Sequence, residues 1–211
     1  MIPFSSKLLD DELAAHALKA AQSLVQVRTG RNGAGSGVII HEDGLIITNA
    51  HVIRHGAPHI ILNGGDDLRG RVLAYDEALD LAAVSANGAG LQALPLGDSA
   101  RLRPGSLVIA LGHPWGVVGA ATAGMVIGVG RPLEPLPYNG ELIQVGLQLR
   151  PGHSGGPMLD ATGELVGLNT MIAGPQVGFA IPARTVSRFL KDNLGSTGRR
   201  RRKPSREAMP A

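Results

Sequence analysis

The stretch RPGHSGGPMLD, residues 150 to 160, crowds three glycines and two prolines around Ser154, with His153 beside it. Glycine frees the backbone for conformations a side chain resists, and proline fixes its own torsion, so the segment is a tight turn. The following residues, Asp160-Ala161-Thr162-Gly163, form a hairpin turn between two apolar runs. The pattern G-x-S-x-G within it also matches the nucleophile elbow of α/β-hydrolases. That fold needs a catalytic histidine after the serine, whereas the seven histidines lie at 16, 41, 51, 55, 59, 113 and 153. It also needs a helix after the serine, where this chain has a hairpin. The α/β-hydrolase reading is rejected.

A serine hydroxyl attacks only when a base removes its proton, and the base needs an orienting acid. Both must then lie upstream. His51 ends the apolar run LIITNAH, and Asp80 sits in EALDLAAV among apolar neighbours, where a carboxylate needs hydrogen-bonding partners. Histidine, aspartate and serine in that order make one of the workable triad arrangements. Each residue alone has an ordinary structural explanation; their conjunction points to nucleophilic catalysis. His51, His55 and His59 are spaced by four as metal ligands on a helix would be. Gly56 and Pro58 break such a helix, and no metal site is expected.

Outward from these residues the chain reads as short strands. Hydrophobic residues make up 44% but aromatics only 3%, so the core must be aliphatic. The 30 glycines and 14 prolines suit many strands joined by turns better than a helical bundle. Aliphatic runs recur from SLVQVRTG to LDLAAVSAN, with HEDG (41–44) as a hairpin turn, and again from SLVIALGH to QVGFAIP. Two groups of strands predict an all-β fold of two packed barrels. The expected units are an N-terminal helical segment (1–24), a first barrel (25–97) carrying His51 and Asp80, a second barrel with a C-terminal helix (98–194) carrying Ser154, and a basic disordered tail (195–211). In the first helix, Leu9, Leu13, Ala17, Ala20 and Leu24 make one apolar face, with Asp10, Asp11 and Glu12 near its start. In the last, Pro182 opens the helix, Val186, Phe189 and Leu190 share a face, and Gly195 closes it.

Cysteine is absent, which excludes disulfides and thiolate chemistry. The formal charge of +3 is concentrated in the end: residues 199 to 211 hold six basic residues and one acid. Residues 199–203 are the one stretch that could touch nucleic acid or an anionic membrane, and a solvated, solubilising end is the plainer expectation. The start of the chain lacks a basic segment followed by an apolar run, so a cytoplasmic protein is expected.

The stretches GSGVIIHEDGLIITNAHVI (35–53), LDLAAV (79–84), LRPGSLVIALGHPWG (102–116), ATAGMVIGVGR (121–131), PGHSGGPMLDATGELVGLNT (151–170) and VGFAIP (177–182) run collinearly. Together they resemble a chymotrypsin-fold serine protease, and within that group the HtrA (Deg) protease domain. The resemblance implies two six-stranded antiparallel barrels and an endopeptidase of unfolded or misfolded proteins that needs no cofactor. It makes His51 the general base, Asp80 the orienting acid and Ser154 the nucleophile. Backbone N–H groups of Gly152, Ser154 and His153 would form the oxyanion hole. Gln148 would lie at the floor of the primary pocket, whose wall, with Leu149, favours small or medium aliphatic side chains. Leu168, Asn169 and Thr170 would border the strand that pairs with substrate. A homotrimer, common in the family, is left open by the short RTGRNGAGSG loop. A silent protease fold serving as a chaperone or peptide-binding module is the alternative. The chain departs from the family at His113 and His153, where asparagine is usual; His153 is expected to face solvent. No PDZ domain is expected after Leu190.

Overall fold

The computed structural model describes residues 6–30, 33–88, 90–132, 138–174 and 176–195; the basic run at 199–203 lies outside them. Six strands make the first closed barrel: β1 (Leu24–Thr29), β2 (Gly33–His41), β3 (Leu45–Thr48), β4 (His59–Ile61), β5 (Asp67–Asp76) and β6 (Leu81–Ala86). Six more make the second: β7 (Leu107–Gly112), β8 (Ala120–Gly130), β9 (Leu142–Gly146), β10 (Pro157–Asp160), β11 (Leu165–Gly174) and β12 (Val177–Pro182). Neighbours run 1-2-3-6-5-4 around the first barrel and 7-8-9-12-11-10 around the second, so both follow one winding, with every pairing antiparallel. The fold is chymotrypsin-like, as expected.

Why the strands read as unbroken aliphatic runs follows from their alternation. Successive side chains of a strand point to opposite faces. In β6, Ala82, Val84 and Ala86 fill the first barrel's interior, while Leu81 and Ala83 face the layer between the barrels. In β7, Val108 and Ala110 fill the second interior, and Ile109 and Leu111 face that same layer. Both faces are covered, so these strands are almost wholly aliphatic, with half-buried Ser85 the polar residue of β6. The shared layer, completed by Leu142, Leu159, Leu165 and Ile181, fastens the barrels together along the line where the candidate site sits.

Two helices lie against this layer. Helix α1 spans Ser6–Ala21 and presents Leu13, Ala17 and Ala20 to the core. It begins before the acidic cluster, so Asp10, Asp11 and Glu12 are exposed in its body rather than in its first turn. Leu24, expected on its apolar face, instead opens β1, fully buried. Helix α2 spans Ala183–Leu194, with Val186 and Phe189 buried and the Gly195 N–H donating to the Lys191 carbonyl at 3.1 Å. Both hairpin turns form: Gly44 and Gly163 hold positive φ of 82° and 79°, and Asp160 Oδ1 accepts from the N–H groups of Thr162 and Glu164.

Candidate active site

His51 lies in a short 3-10 turn, Ala50–Ile53, directly after β3. Val52 and Ile53 anchor this turn in the first barrel's interior. Asp80 occupies the last position before β6 and takes the left-handed conformation, φ 48°, which aspartate tolerates better than most residues. Asn49 Nδ2 donates to its carbonyl at 3.0 Å. That conformation delivers the carboxylate to His51 twice. The His51 N–H donates to Asp80 Oδ1 at 3.0 Å, and His51 Nδ1 stands 2.9 Å from Oδ2. With Nδ1–H donating to the carboxylate, Nε2 keeps its lone pair free for a proton. The imidazole remains open, its side chain 41% exposed against 13% for Asp80.

Thr170 adds a support. Its hydroxyl donates to Asp80 Oδ2 at 2.7 Å, and its carbonyl accepts from Ser154 Oγ at 2.9 Å. The two barrels thus bring His51, Asp80 and Ser154 to one place, with the serine hydroxyl resting on Thr170 and not on the imidazole.

Residues 150 to 153 form a type II turn: Pro151 at the second position, Gly152 at the third with φ 105°, and the His153 N–H donating to the Arg150 carbonyl at 3.0 Å. A Cβ on Gly152 would also stand 2.3 Å from the His113 carbonyl oxygen, so glycine is required twice over. The His153 carbonyl accepts from the Gly156 N–H, and the Gly155 N–H donates to the Asn169 carbonyl, both at 2.9 Å. Among the described residues the Gly152 and Ser154 N–H groups have no acceptor. The His153 N–H, expected to share the hole, is instead occupied by Arg150.

His153 is buried, 3% exposed, and does not face solvent as expected. Its Nδ1 lies 3.2 Å from both the N–H and the carbonyl of Arg150. Gly112 makes this possible, because a Cβ there would stand 2.6 Å from the His153 Cα. Burial lowers the His153 imidazole from its ordinary pKa, and burial together with His153 holds His113 at about 4. Both rings are neutral at neutral pH.

Beside Ser154 a cleft of about 250 Å³ opens. Leu149, Pro151, Met171 and Ile172 supply its apolar lining, with Arg150 also present. Gln148, expected at its floor, is exposed and accepts from Arg150 Nη2 at 2.6 Å. Leu168 packs in the shared core, and Asn169 is fully buried, its amide donating to the Leu111 and Pro157 carbonyls. Of the three residues expected along the substrate strand, only Thr170 reaches the cleft. Arg150 also stacks over Trp115, its guanidinium carbon 4.6 Å from the ring centroid; Trp115 is 69% exposed. Of the histidines once weighed as metal ligands, His59 pairs with Asp67 at 3.1 Å, away from the His51–Asp80 pair.

Sequence reasoning missed Ser36 and underrated Thr170. The trace of Ser36 was there in the glycines that flank it: a Cβ on Gly35 would meet Val52 at 2.7 Å and the Ser154 carbonyl at 3.1 Å.

Residues 35–168 match the family model described as "Trypsin-like peptidase domain". The chain is 36% identical over 164 residues to "Probable periplasmic serine endoprotease DegP-like" of Brucella suis biovar 1, covering 74% of this chain and 32% of that protein. It is 38% identical over 175 residues to the protein of the same name from Halomonas elongata, covering 80% and 36%. The chain thus spans about a third of the length of these relatives. Among solved structures, "HtrA-type protease AlgW with tripeptide" superposes with a TM-score of 0.79 at 30% identity, covering 84% of this chain and 62% of that one. "HtrA-type protease AlgW with decapeptide" gives 0.77 at 26%, covering 86% and 68%. The relatives' names overturn the expectation of a cytoplasmic protein, since they point to the periplasm. That expectation rested on a missing leader pattern, and an absence of that kind carries no address.

Proposed function

The chain belongs to the trypsin-like peptidase family, as a serine endopeptidase domain of HtrA type, and from that premise we propose that His51, Asp80 and Ser154 hydrolyse peptide bonds in unfolded or misfolded proteins. The observation that carries this reading is the double hold of Asp80 on His51, through the backbone N–H at 3.0 Å and through Nδ1 at 2.9 Å. It fixes the tautomer that a general base requires.

The reaction begins when Ser154 Oγ turns from the Thr170 carbonyl to His51 Nε2, which takes its proton as Oγ attacks the substrate carbonyl carbon. Negative charge develops on the carbonyl oxygen. The unpartnered N–H groups of Gly152 and Ser154 receive it, each such donor contributing roughly 3 kcal/mol in the transition state. Protonated His51 then passes the proton to the leaving amine, and water releases the acyl group by the same route in reverse. Beyond Leu168, β11 has β12 on one side and no strand among the described residues on the other. Substrate backbone adds along that free edge, beside Thr170 and Met171.

The apolar lining from Leu149, Met171 and Ile172 favours small or medium aliphatic side chains at the residue before the cleaved bond. Arg150 in the same lining repels lysine and arginine. The homotrimer common in the family is carried with this reading, and sedimentation of the purified chain is expected to give a trimer mass.

Digestion of a permanently unfolded polypeptide, carboxymethylated lactalbumin, tests the proposal, with fragments read by mass spectrometry. Wild type is expected to cleave mainly after Ala, Val and Leu, and Ser154→Ala not at all. Predominant cleavage after Lys or Arg sinks the specificity reading. One observation favours the alternative of a silent chaperone: the Ser154 hydroxyl is bound to Thr170 rather than to His51. A fluorophosphonate probe separates the two, since labelling that disappears in Ser154→Ala requires an active nucleophile.

A further inference from the structure

We propose that Ser36 and His113 are positioning residues for the oxyanion turn: the Ser36 hydroxyl, oriented by His113, holds the Gly152 carbonyl and so keeps the Gly152 and Ser154 N–H groups aimed together. The inference rests on the serine-peptidase reading and goes beyond the triad.

Ser36 lies on β2 of the first barrel and is fully buried, yet it reaches the nucleophile turn of the second barrel from both ends. Its N–H donates to the Ser154 carbonyl at 2.8 Å, and its Oγ donates to the Gly152 carbonyl at 2.8 Å. Thr48 Oγ1 donates in turn to the Ser36 carbonyl. His113, at the end of β7, meets the same hydroxyl twice, through its N–H at 3.1 Å and through Nδ1 at 3.0 Å. Its N–H also lies 3.1 Å from the Gly152 carbonyl.

A hydroxyl has one hydrogen; the Gly152 carbonyl, 2.8 Å away and nearer than Nδ1, can only accept, and we take the hydrogen to point there. With that orientation Nδ1 of His113 is the donor, and the neutral ring carries its proton on Nδ1. The low basicity of the buried ring agrees with that neutral form. The Ser36 oxygen then accepts from His113 and donates to Gly152, and no hydrogen bond in the set conflicts with another.

The consequence lies in which peptide groups are left free. The Gly152 carbonyl is held by Ser36 and His113, the His153 N–H by Arg150, the His153 carbonyl by Gly156 and the Gly155 N–H by Asn169. The groups without an acceptor are the two that an oxyanion needs. Gly152 is also the residue with least resistance to rotation, having no Cβ. Without the Ser36 hydroxyl, its carbonyl keeps only the N–H of His113, which is a weak restraint on the freest residue of the turn.

An asparagine at 113 would offer an amide N–H to the same hydroxyl, and this supplies the control. Wild type, Ser36→Ala, His113→Ala and His113→Asn are compared for kcat and KM on a peptide amide and for the rate of fluorophosphonate labelling of Ser154, with thermal melts to verify folding. A hole that acts only in the transition state predicts a fall in kcat and in labelling rate of about 10-fold for Ser36→Ala, with KM changed less than about twofold. His113→Ala is expected to fall in the same sense, and His113→Asn to recover most of the loss. A folded Ser36→Ala that keeps the wild-type kcat overturns the proposal, as does His113→Asn falling as low as His113→Ala. Should Ser36→Ala not fold, the His113 pair decides by the same rates. A wild type that neither labels nor cleaves overturns the serine-peptidase reading itself, a different result from active wild type with indifferent variants.

Discussion

Ser154 and Thr170 are joined by a hydrogen bond from the serine Oγ to the threonine carbonyl at 2.9 Å, while the hydroxyl of the same threonine holds Asp80 at 2.7 Å. One residue of β11 therefore touches both the proposed nucleophile and the acid proposed to orient the base. The carbonyl is a resting place that Ser154 must leave, and the hydroxyl is a support that Asp80 keeps.

These two roles separate in Thr170→Val, which removes the hydroxyl and leaves the carbonyl. Asp80 Oδ2 loses its 2.7 Å donor in a largely buried setting. The expected result is a fall in kcat/KM of about 10-fold with the resting position of Ser154 unchanged, from the usual contribution of a hydrogen bond to a charged group. Steady-state kinetics on a peptide substrate reads it.

Asp80→Asn keeps the shape of the turn but offers an amide to His51. An amide nitrogen facing Nδ1 favours the tautomer with the proton on Nε2, where it blocks proton transfer from Ser154. Loss of kcat of about 10⁴-fold is expected, the magnitude known for this exchange in serine proteases. Activity is expected to recover partly at alkaline pH; full activity at pH 7 counts against the assigned base.

Gly152→Ala adds a Cβ 2.3 Å from the His113 carbonyl at a residue with φ 105°. The chain must shift or rotate, and either moves the proposed oxyanion donors. We expect activity reduced about 100-fold or more and stability lowered by about 2 kcal/mol, measured by peptide hydrolysis and by chemical denaturation.

The depressed basicity of His113 makes a prediction about acid. Its pKa is about 4 in the folded protein against an ordinary 6.5, through burial first and then through His153. As pH falls below 6.5 the unfolded chain takes up a proton that the folded ring does not, so this contribution is complete above 6.5 and is lost between 6.5 and 4. Its total is roughly 3 kcal/mol. His153, lowered in the same direction by burial, adds to the loss. Melting curves between pH 4 and 7 are expected to show a shallower decline for His113→Asn than for wild type; parallel declines contradict it.

How far the site was legible in the sequence depended on what each contact leaves behind. The proposed triad, His51, Asp80 and Ser154, and the glycines of 150–156 stood out in the sequence because a nucleophile, a base and a tight turn each demand a residue type. Ser36 reaches Gly152 across 116 positions, and a serine in a strand has no periodicity that discloses such a partner. The glycines that admit close approach across the two barrels, Gly35 against the Ser154 carbonyl and Gly155 against the Ser36 carbonyl, mark the line where the barrels meet. His153 was misread because polarity suggests exposure, whereas a missing Cβ at Gly112 makes room for its ring. Gln148 was misplaced because sequence distance from a nucleophile fixes the wall of a pocket only when the intervening backbone is known. The strands were legible for the opposite reason: two covered faces leave a continuous aliphatic signature in residues such as Ala82, Ala83 and Val84.

Trp115 is the chain's single tryptophan, and its exposed indole lies against Arg150, whose carbonyl closes the turn that carries Gly152. The molecule thus contains its own optical reporter beside the turn proposed to hold the oxyanion. Rotation of that turn is expected to change the distance between guanidinium and indole, and with it the emission. Rearrangement on substrate binding can then be timed in a stopped-flow instrument on the unlabelled protein, without any substitution in the catalytic machinery.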